Sequence, residues 1–402
     1  MTFQPDASAA SDTSARLRIL VVTSQFPIAG EPNRGRPIYQ TVRELAQIAD
    51  VKVISGVATY PQWARPRSYL FRAHDESHVV PGVDTEYVSY PALPLVTRPF
   101  NGLLCSRAIA ASARRYRPDV ILGYWLYPDA YAGMRAGHRL GVPLVAGALG
   151  SDLLVRDRWT QRLTRPVLRA ARRTLVVSDD LGKAAVRAYG ADPQRVRVIP
   201  NGCDASIFHP MDRAQARAAL EVPADAELVL YVGRLVAEKG LRELFDAARA
   251  LVAERPNLLI ALAGEGPLQA ELRQRLADDP ALPVRLLGAQ SPQQVAQWMA
   301  ASNLVTLPSY SEGHPNVLVE SLACGRAVVA THVGGIPEFI DEHCGVLLPP
   351  RDAAALVAGL RTALDTRWDE AGLARRFSRT WADVAVDTLR ACEEAVATHR
   401  AA

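Results

Sequence analysis

Short runs of aliphatic and β-branched residues alternate with stretches whose apolar positions recur every three or four residues, from the first apolar run at Leu17 almost to the C-terminus. Apolar runs of four to eight residues read as buried strands, and the 3.6-residue period reads as amphipathic helices. In the front half the pattern predicts strands at 17–23, 51–55, 85–90, 120–123, 144–147, 174–177 and 196–199, with helices over 39–48, 103–116, 130–139, 161–171 and 181–189. A second series predicts strands at 228–232, 258–263, 284–287, 304–307, 327–330 and 345–348, again separated by helices. Such βα alternation implies an α/β fold of two doubly wound parallel sheets, with a ligand cleft between them. Between 200 and 226 the strand signal lapses, and Pro200, Gly202, Pro210 and Pro223 mark an interdomain connection. The expected division is a disordered lead-in over 1–15, domains over 16–199 and 227–368 joined by 200–226, and a terminal segment over 369–402. Within that last segment a helical stretch over 373–396 carries Phe377 and Trp381, two anchors for docking back across the domains.

One helix departs from the pattern. After the predicted strand at 304–307, residues 308–315 read as a turn and 316–324 as a helix closed by Gly325. Gly313 frees the turn, and the first N–H groups of the helix lack intrahelical partners, so they can face an anion. Glu312 lies in the turn, whereas Glu320 falls among Leu318, Val319, Leu322 and Ala323, where an unpartnered buried carboxylate costs several kcal/mol. Something polar must meet Glu320: either a structural ion pair or amide, or a ligand.

Composition narrows the class. With 402 residues the chain exceeds a single core, and 49% hydrophobic with 22% charged residues excludes disorder and a coiled coil. Its longest weakly polar stretch, 142–155, is interrupted by Asp152 and is shorter than the roughly 20 residues of a spanning helix. Asp6 and Asp12 precede the first apolar run, unlike a secretory signal, so a cytoplasmic location is expected. Five scattered cysteines (Cys105, Cys203, Cys324, Cys344, Cys392) show neither a disulfide framework nor zinc spacing. The net charge of +4 conceals an asymmetry: residues 1–209 hold 27 Lys/Arg against 17 Asp/Glu, and residues 210–402 hold 19 against 25.

Further candidates lie at strand ends. Gly233, Arg234, Lys239 and Gly240 follow the first strand of the back half, where two cations flanking a turn suit two phosphate groups; a solvated surface pair is the alternative. The order matches neither a Walker loop nor a dinucleotide fingerprint. Gly264 and Gly266 after the next strand allow close backbone approach, and Gly334, Gly335, Pro337 and Glu338 form a similar turn into a short helix. Gly30 and Gly35 make a flexible loop expected to face the cleft from the front domain, or a simple long loop. No histidine spacing or Asp-x-Asp pair suggests a metal, so cationic side chains and helix ends must neutralise any bound diphosphate. Arg162, Arg165, Arg169 and Arg172 recur on one predicted helix face and, with Arg156, Arg158 and Arg173, form a patch that either meets anionic lipid or is merely solvated. Aromatic residues do not interleave with them, which argues against nucleic acid.

Taken as a set, these motifs resemble those of the retaining glycosyltransferase family four, of the bacterial polysaccharide-synthesis type. The likeness rests on Gly233, Arg234, Leu235, Glu238, Lys239 and Gly240, on Gly264 to Pro267, on the Glu-x7-Glu pair, on Thr331, Val333, Gly334, Gly335, Pro337 and Glu338, and on Pro200 to Asp204 with Phe208 and Pro210. The resemblance implies the GT-B fold, two Rossmann-like domains facing a central cleft with the C-terminal helix docked on the front domain. It implies a nucleotide diphosphate sugar as donor substrate, no cofactor and no metal, and a glycan or lipid-linked acceptor in cell-surface polysaccharide synthesis, with peripheral attachment at the inner face of the cytoplasmic membrane as a further expectation. Arg234 and Lys239 would hold the diphosphate, Glu312 the sugar and Glu320 the ribose. Gly264, Gly266, His314, Asn316 and Val317 would complete the donor site, and Gly30, Gly35 and Asp152 would lie on the acceptor side. Many members carry His-Gly-x-Asp where this chain has Leu149, Gly150, Ser151 and Asp152. Leu149 motivates one alternative, a non-catalytic nucleotide-sugar-binding partner protein of the same fold; a third reading, a GT-B sugar-nucleotide epimerase, is disfavoured by the Arg234/Lys239 turn with the Glu pair.

Overall fold

The computed structural model describes residues 16–64, 78–94, 96–154 and 157–401; the lead-in over 1–15 and Arg156 lie outside them. Seven parallel strands form the front sheet: β1 (Arg18–Val22), β2 (Asp50–Thr59), β3 (Asp84–Pro91), β4 (Val120–Tyr124), β5 (Leu144–Ala148), β6 (Arg173–Val176) and β7 (Val196–Val198). Helices α1 (Arg36–Ile48), α2 (Asn101–Tyr116), α3 (Tyr131–Leu140), α4 (Arg158–Ala170) and α5 (Asp179–Tyr189) connect them. After a helix α6 (Arg213–Ala219), the back sheet has six parallel strands: β8 (Glu227–Val232), β9 (Leu258–Ala263), β10 (Val284–Gly288), β11 (Leu304–Leu307), β12 (Ala327–Thr331) and β13 (Gly345–Leu348). Its helices are α7 (Leu241–Leu251), α8 (Gln269–Asp278), α9 (Pro292–Ala301), α10 (Asn316–Ala323) and α11 (Ala353–Asp365), followed by α12 (Glu370–Arg376) and α13 (Trp381–Arg400).

Spatial order is β3-β2-β1-β4-β5-β6-β7 in front and β10-β9-β8-β11-β12-β13 behind. In each sheet the order reverses once, between β1 and β4 and between β8 and β11, and a crevice opens beyond the strand ends at such a reversal. Helices cover both faces, so central strands lose the alternation of half-exposed sheets: β4, β5 and β12 are buried at every position. All five cysteines are buried and free of disulfides.

One element was not anticipated, and one expectation needs correction. The connection over 200–226 holds α6, whose start is capped by Asp212 accepting from the Gln215 amide at 2.7 Å. Its Arg217 is buried and donates to the carbonyls of Ala301 and Ala226, both at 2.9 Å, and to Asn303 Oδ1 at 2.8 Å. A buried arginine satisfied by distant carbonyls leaves no apolar period to read. The terminal stretch over 373–396 is two helices, not one. At the break the Cys203 amide donates to the Arg379 carbonyl at 2.8 Å, and Thr380 opens α13 in a capping box with Asp383. Phe377 packs on the core of the back sheet and Trp381 on that of the front sheet. From there α13 lies along α1 and against β4, β5 and β6.

Trp381 is 6% exposed and seats the first turn of α13. Trp381→Ala is expected to cost about 3–5 kcal/mol, the usual range for a large aromatic truncation, and to accelerate amide exchange along α13. Denaturant unfolding and hydrogen exchange measure both.

Candidate active site

Four turns at the reversal point of the back sheet stand side by side. They follow β8, β9, β11 and β12, and the backbone joins them: the Gly233 amide donates to Ala263 at 3.0 Å, Leu235 to Glu265 at 2.9 Å, Tyr310 to Glu238 at 2.8 Å and Gly335 to Gly313 at 3.0 Å. Glycine is required where they meet. Gly264 has φ +144° and a Cβ there would lie 1.9 Å from the Gly233 carbonyl oxygen; Gly334 has φ +54° and its Cβ would lie 1.8 Å from that of Glu312.

This close packing brings Lys239, from the turn after β8, against Glu312, from the turn after β11. Lys239 Nζ donates to Glu312 Oε1, and the two side chains are 20% and 12% exposed. Arg234 is exposed beside them, with its carbonyl accepting from the Tyr231 hydroxyl at 2.9 Å. Immediately after Glu312, α10 starts behind Pro315 with no side-chain cap, so its first amides carry the positive end of the helix dipole. His314 stacks on Phe339 at 4.6 Å between ring centroids, and its Nδ1 is buried without a hydrogen-bond partner. Burial depresses its pKa to about 4, so the imidazole is neutral at pH 7. Val317 packs on the core of the back sheet, whereas the Asn316 side chain is taken up by Asn201 of the connection, whose Nδ2 donates to it at 2.7 Å.

Glu320 still touches the cleft, yet protein surrounds its carboxyl closely enough that desolvation pushes its pKa up to about 7. Arg36, the first residue of α1, opposes that shift from the other half, and Asp204 adds to it. Among the described residues the Glu320 carboxyl has no hydrogen bond or ion pair. The structural partner offered for it by the sequence is therefore absent, and the site has a carboxyl waiting for donors.

The front half closes over this floor. Asp152 is buried, and its Oδ1 accepts from the amides of Leu149 at 3.2 Å and Gly150 at 3.0 Å; burial raises its pKa to about 6. The loop so shaped presses the Leu149 carbonyl onto Gly313, where a Cβ would lie 2.9 Å from it. Asp152 thus holds the loop and Leu149 contributes backbone. Beside it, Asp129 is fully buried, accepts from the Ser24 amide and hydroxyl, both at 2.6 Å, and has its pKa raised to about 7 by desolvation.

Two site expectations change. The loop carrying Gly30 and Gly35 is a tied turn rather than a flexible one: Ile28 and Glu31 bridge, Arg34 Nε donates to the Ser24 carbonyl at 3.1 Å, and Gly35 abuts Gln25. Gly30 has open space around it, and Gly35 starts α1 and so aims Arg36. The four arginines do not share one helix face. Arg162, Arg165 and Arg169 lie exposed on α4, but the helix ends at Ala170, and the Arg172 amide already joins the sheet by donating to the Leu144 carbonyl at 2.8 Å.

Arg36, Asn201, Asp129 and the role of Glu338 went unread, because each depends on a partner far along the chain. Glu338 joins the two halves: its carboxylate accepts from the amides of Asp179 at 2.7 Å and Asp180 at 2.8 Å, the open start of α5. Glu338→Ala is expected to cost about 1 kcal/mol, as loss of a helix cap does, and to speed exchange of those two amides, with Glu338→Gln intermediate. Hydrogen exchange at α5 checks this.

A family model described as Glycosyltransferase Family 4 matches residues 35–207, and one described as Glycosyl transferases group 1 matches residues 226–366. The chain is 29% identical over 357 residues to TuaC of Bacillus subtilis, named for teichuronic acid biosynthesis, covering 86% of this chain and 88% of that one. It is 31% identical over 337 residues to the D-inositol 3-phosphate glycosyltransferase of Mycobacteroides abscessus, covering 76% of each. Among solved structures, sucrose-phosphate synthase from Thermosynechococcus elongatus superposes with a TM-score of 0.69 at 24% identity, over 96% of this chain and 98% of that one. HepE of Anabaena in complex with UDP and glucose does so at 0.67 and 21%, over 96% and 97%. The two-sheet architecture is the GT-B fold.

Proposed function

Because the chain belongs to glycosyltransferase family four, we propose that it retains anomeric configuration without a metal, moving a sugar from a nucleoside diphosphate sugar to a glycan or lipid-linked acceptor in cell-surface polysaccharide synthesis. Glycosyltransferase activity follows from the family; the proposal adds donor class, stereochemistry and acceptor. The observation that carries it is the Lys239–Glu312 pair at the uncapped start of α10, with Glu320 unpartnered in the next turn. Arg234, Lys239 and the helix end together offer the charge that a diphosphate requires. A diphosphate drawing Lys239 toward itself leaves Glu312 to accept from a sugar hydroxyl. Ribose hydroxyls supply the donors that Glu320 lacks. The donor seen with HepE, UDP-glucose, has this chemistry.

In the reaction the bond from the anomeric carbon to the diphosphate breaks, the acceptor oxygen bonds to that carbon on the same face, and the departing phosphate oxygen takes the acceptor's proton. Charge growing on the leaving group is met by Arg234 and Lys239. Leu149 supplies no imidazole beside the sugar, so the front half contributes backbone and enclosure there. The two alternatives from sequence are not favoured, since the relatives are named as transferases.

No described helix is long and apolar enough to cross a membrane. Trp159, 59% exposed beneath the Arg162 guanidinium at 5.6 Å, with Arg165 and Arg169 on the same helix, fits peripheral contact with the inner face of the cytoplasmic membrane.

Turnover with a panel of nucleoside diphosphate sugars tests the reading; no transfer or hydrolysis with any donor and acceptor sinks it. Lys239→Ala is expected to lower kcat/KM at least about 100-fold, the scale of losing one transition-state charge contact. Glu320 adds a pH signature. Its folded pKa is raised, so below about pH 7 the empty site holds it protonated, and ribose donors favour the carboxylate. Binding therefore releases a proton, and donor affinity should climb as pH rises from about 6 to 8. Calorimetry in buffers of differing ionisation heat measures the released proton; Glu320→Gln should flatten the slope, and a flat wild-type profile would discard the ribose assignment.

A further inference from the structure

At the end of the front sheet opposite the cleft, three helices finish together: α3 at Leu140, α4 at Ala170 and α13 at Arg400. They surround a cavity of about 800 Å³ whose floor includes Leu144, the first residue of β5. Leu149 lies at the other end of that strand, so roughly 15 Å separates cavity and cleft. Arg135, Arg139, Arg169, Arg172 and Arg195 line the cavity with two histidines, and among the described residues no acidic one does. Of the five, Arg195 pairs with Asp192 at 3.1 Å; the other four have no ion pair among the described residues. Arg135 Nε is buried without a hydrogen-bond partner. Arg172 meets His399 Nδ1 at 3.4 Å, and the opposite nitrogen of that ring lies 3.0 Å from the Gly141 carbonyl, an arrangement satisfied by a neutral imidazole donating to Gly141 and accepting from Arg172.

Helix ends alone do not balance these charges. Each C-terminus carries about half a negative charge, so three supply about −1.5 against four unpaired guanidiniums. More than two positive charges remain in a recess of the size that holds small ligands. Guanidinium forks match phosphate oxygens two at a time. We propose that this cavity is a second ligand site, separate from the donor cleft, that takes a phosphate-bearing anion through Arg135, Arg139, Arg169 and Arg172.

Calorimetric titration of inorganic pyrophosphate into the full chain tests the proposal, with Lys239→Ala reporting on the cleft. Affinity is expected to fall at least tenfold in Arg135→Gln/Arg172→Gln and to persist in Lys239→Ala. Since Arg135 and Arg172 are partly buried, Arg139→Glu/Arg169→Glu, on the exposed rim and outside the core, provides a second variant, and it should weaken binding as much. Absence of pyrophosphate binding by the wild type, unchanged affinity in both arginine variants, or loss confined to Lys239→Ala overturns the proposal. Co-sedimentation with phosphatidylglycerol vesicles then separates the sources of the phosphate. Release of bound protein by pyrophosphate, absent in the arginine variants, identifies a lipid headgroup; vesicle binding that is missing or indifferent to pyrophosphate identifies a soluble phosphate compound.

Discussion

The cleft depends on backbone standing against backbone at distances that no side chain tolerates. Gly264 under Gly233 and Gly334 under Glu312 let neighbouring strand-end turns share amide hydrogen bonds, and Gly313 extends the same closeness across the halves to Leu149. Widening the Gly334 contact by the size of a methyl group would displace Glu312 against Lys239, because the two side chains rise from different turns. A pair built this way is held by the fold rather than by its own attraction. It can therefore be opened by a ligand without the turns moving, which is what a preorganised anion site requires.

The halves are held together chiefly by groups that helix ends leave over. Glu338 satisfies the open start of α5, and Asn201 spans the Asn316 side chain and, at 3.3 Å, the His314 carbonyl. Arg36 reaches toward Glu320 from the start of α1. These contacts are polar and few, so they set the relative position of the halves at modest energetic cost. Trp381 and Phe377 divide the apolar share, one on each core.

Strand positions were legible because parallel strands covered on both faces are short apolar runs, and all thirteen appear within a few residues of their expected limits. The acidic pair and the Arg234/Lys239 turn were legible for a related reason: local spacing places them at strand ends. Hidden were features whose cause lies far along the chain. Helix α6 is secured by Arg217 to carbonyls more than eighty residues away as well as nearby ones, and the break before α13 follows from pairing between Cys203 and the segment at Arg379. Arginine spacing suggested one continuous face because a 3.6-residue period has no memory of where a helix stops; Arg172 had already entered the sheet. Asp129 and Glu338 look like ordinary surface acids until Ser24 and α5 are brought beside them.

Charge distribution ties these points together. The excess of cations lies in the front half, with 27 against 17 acids, whereas Arg234 and Lys239 of the cleft belong to the acidic half. A simple reading of the asymmetry would place the anion-binding function in front. Yet in the cleft Lys239 is matched by Glu312, while behind the front sheet four guanidiniums converge with no ion pair among the described residues. Like charges gathered in a recess repel one another, and an exposed surface offers them room to separate. On the proposed reading, local positive potential at three helix ends, and not the half's net charge, marks where an anion is favoured. If a diphosphate draws Lys239 from Glu312, the cleft exchanges one partner for another, whereas Arg135, Arg139, Arg169 and Arg172 have no carboxylate to give up among the described residues.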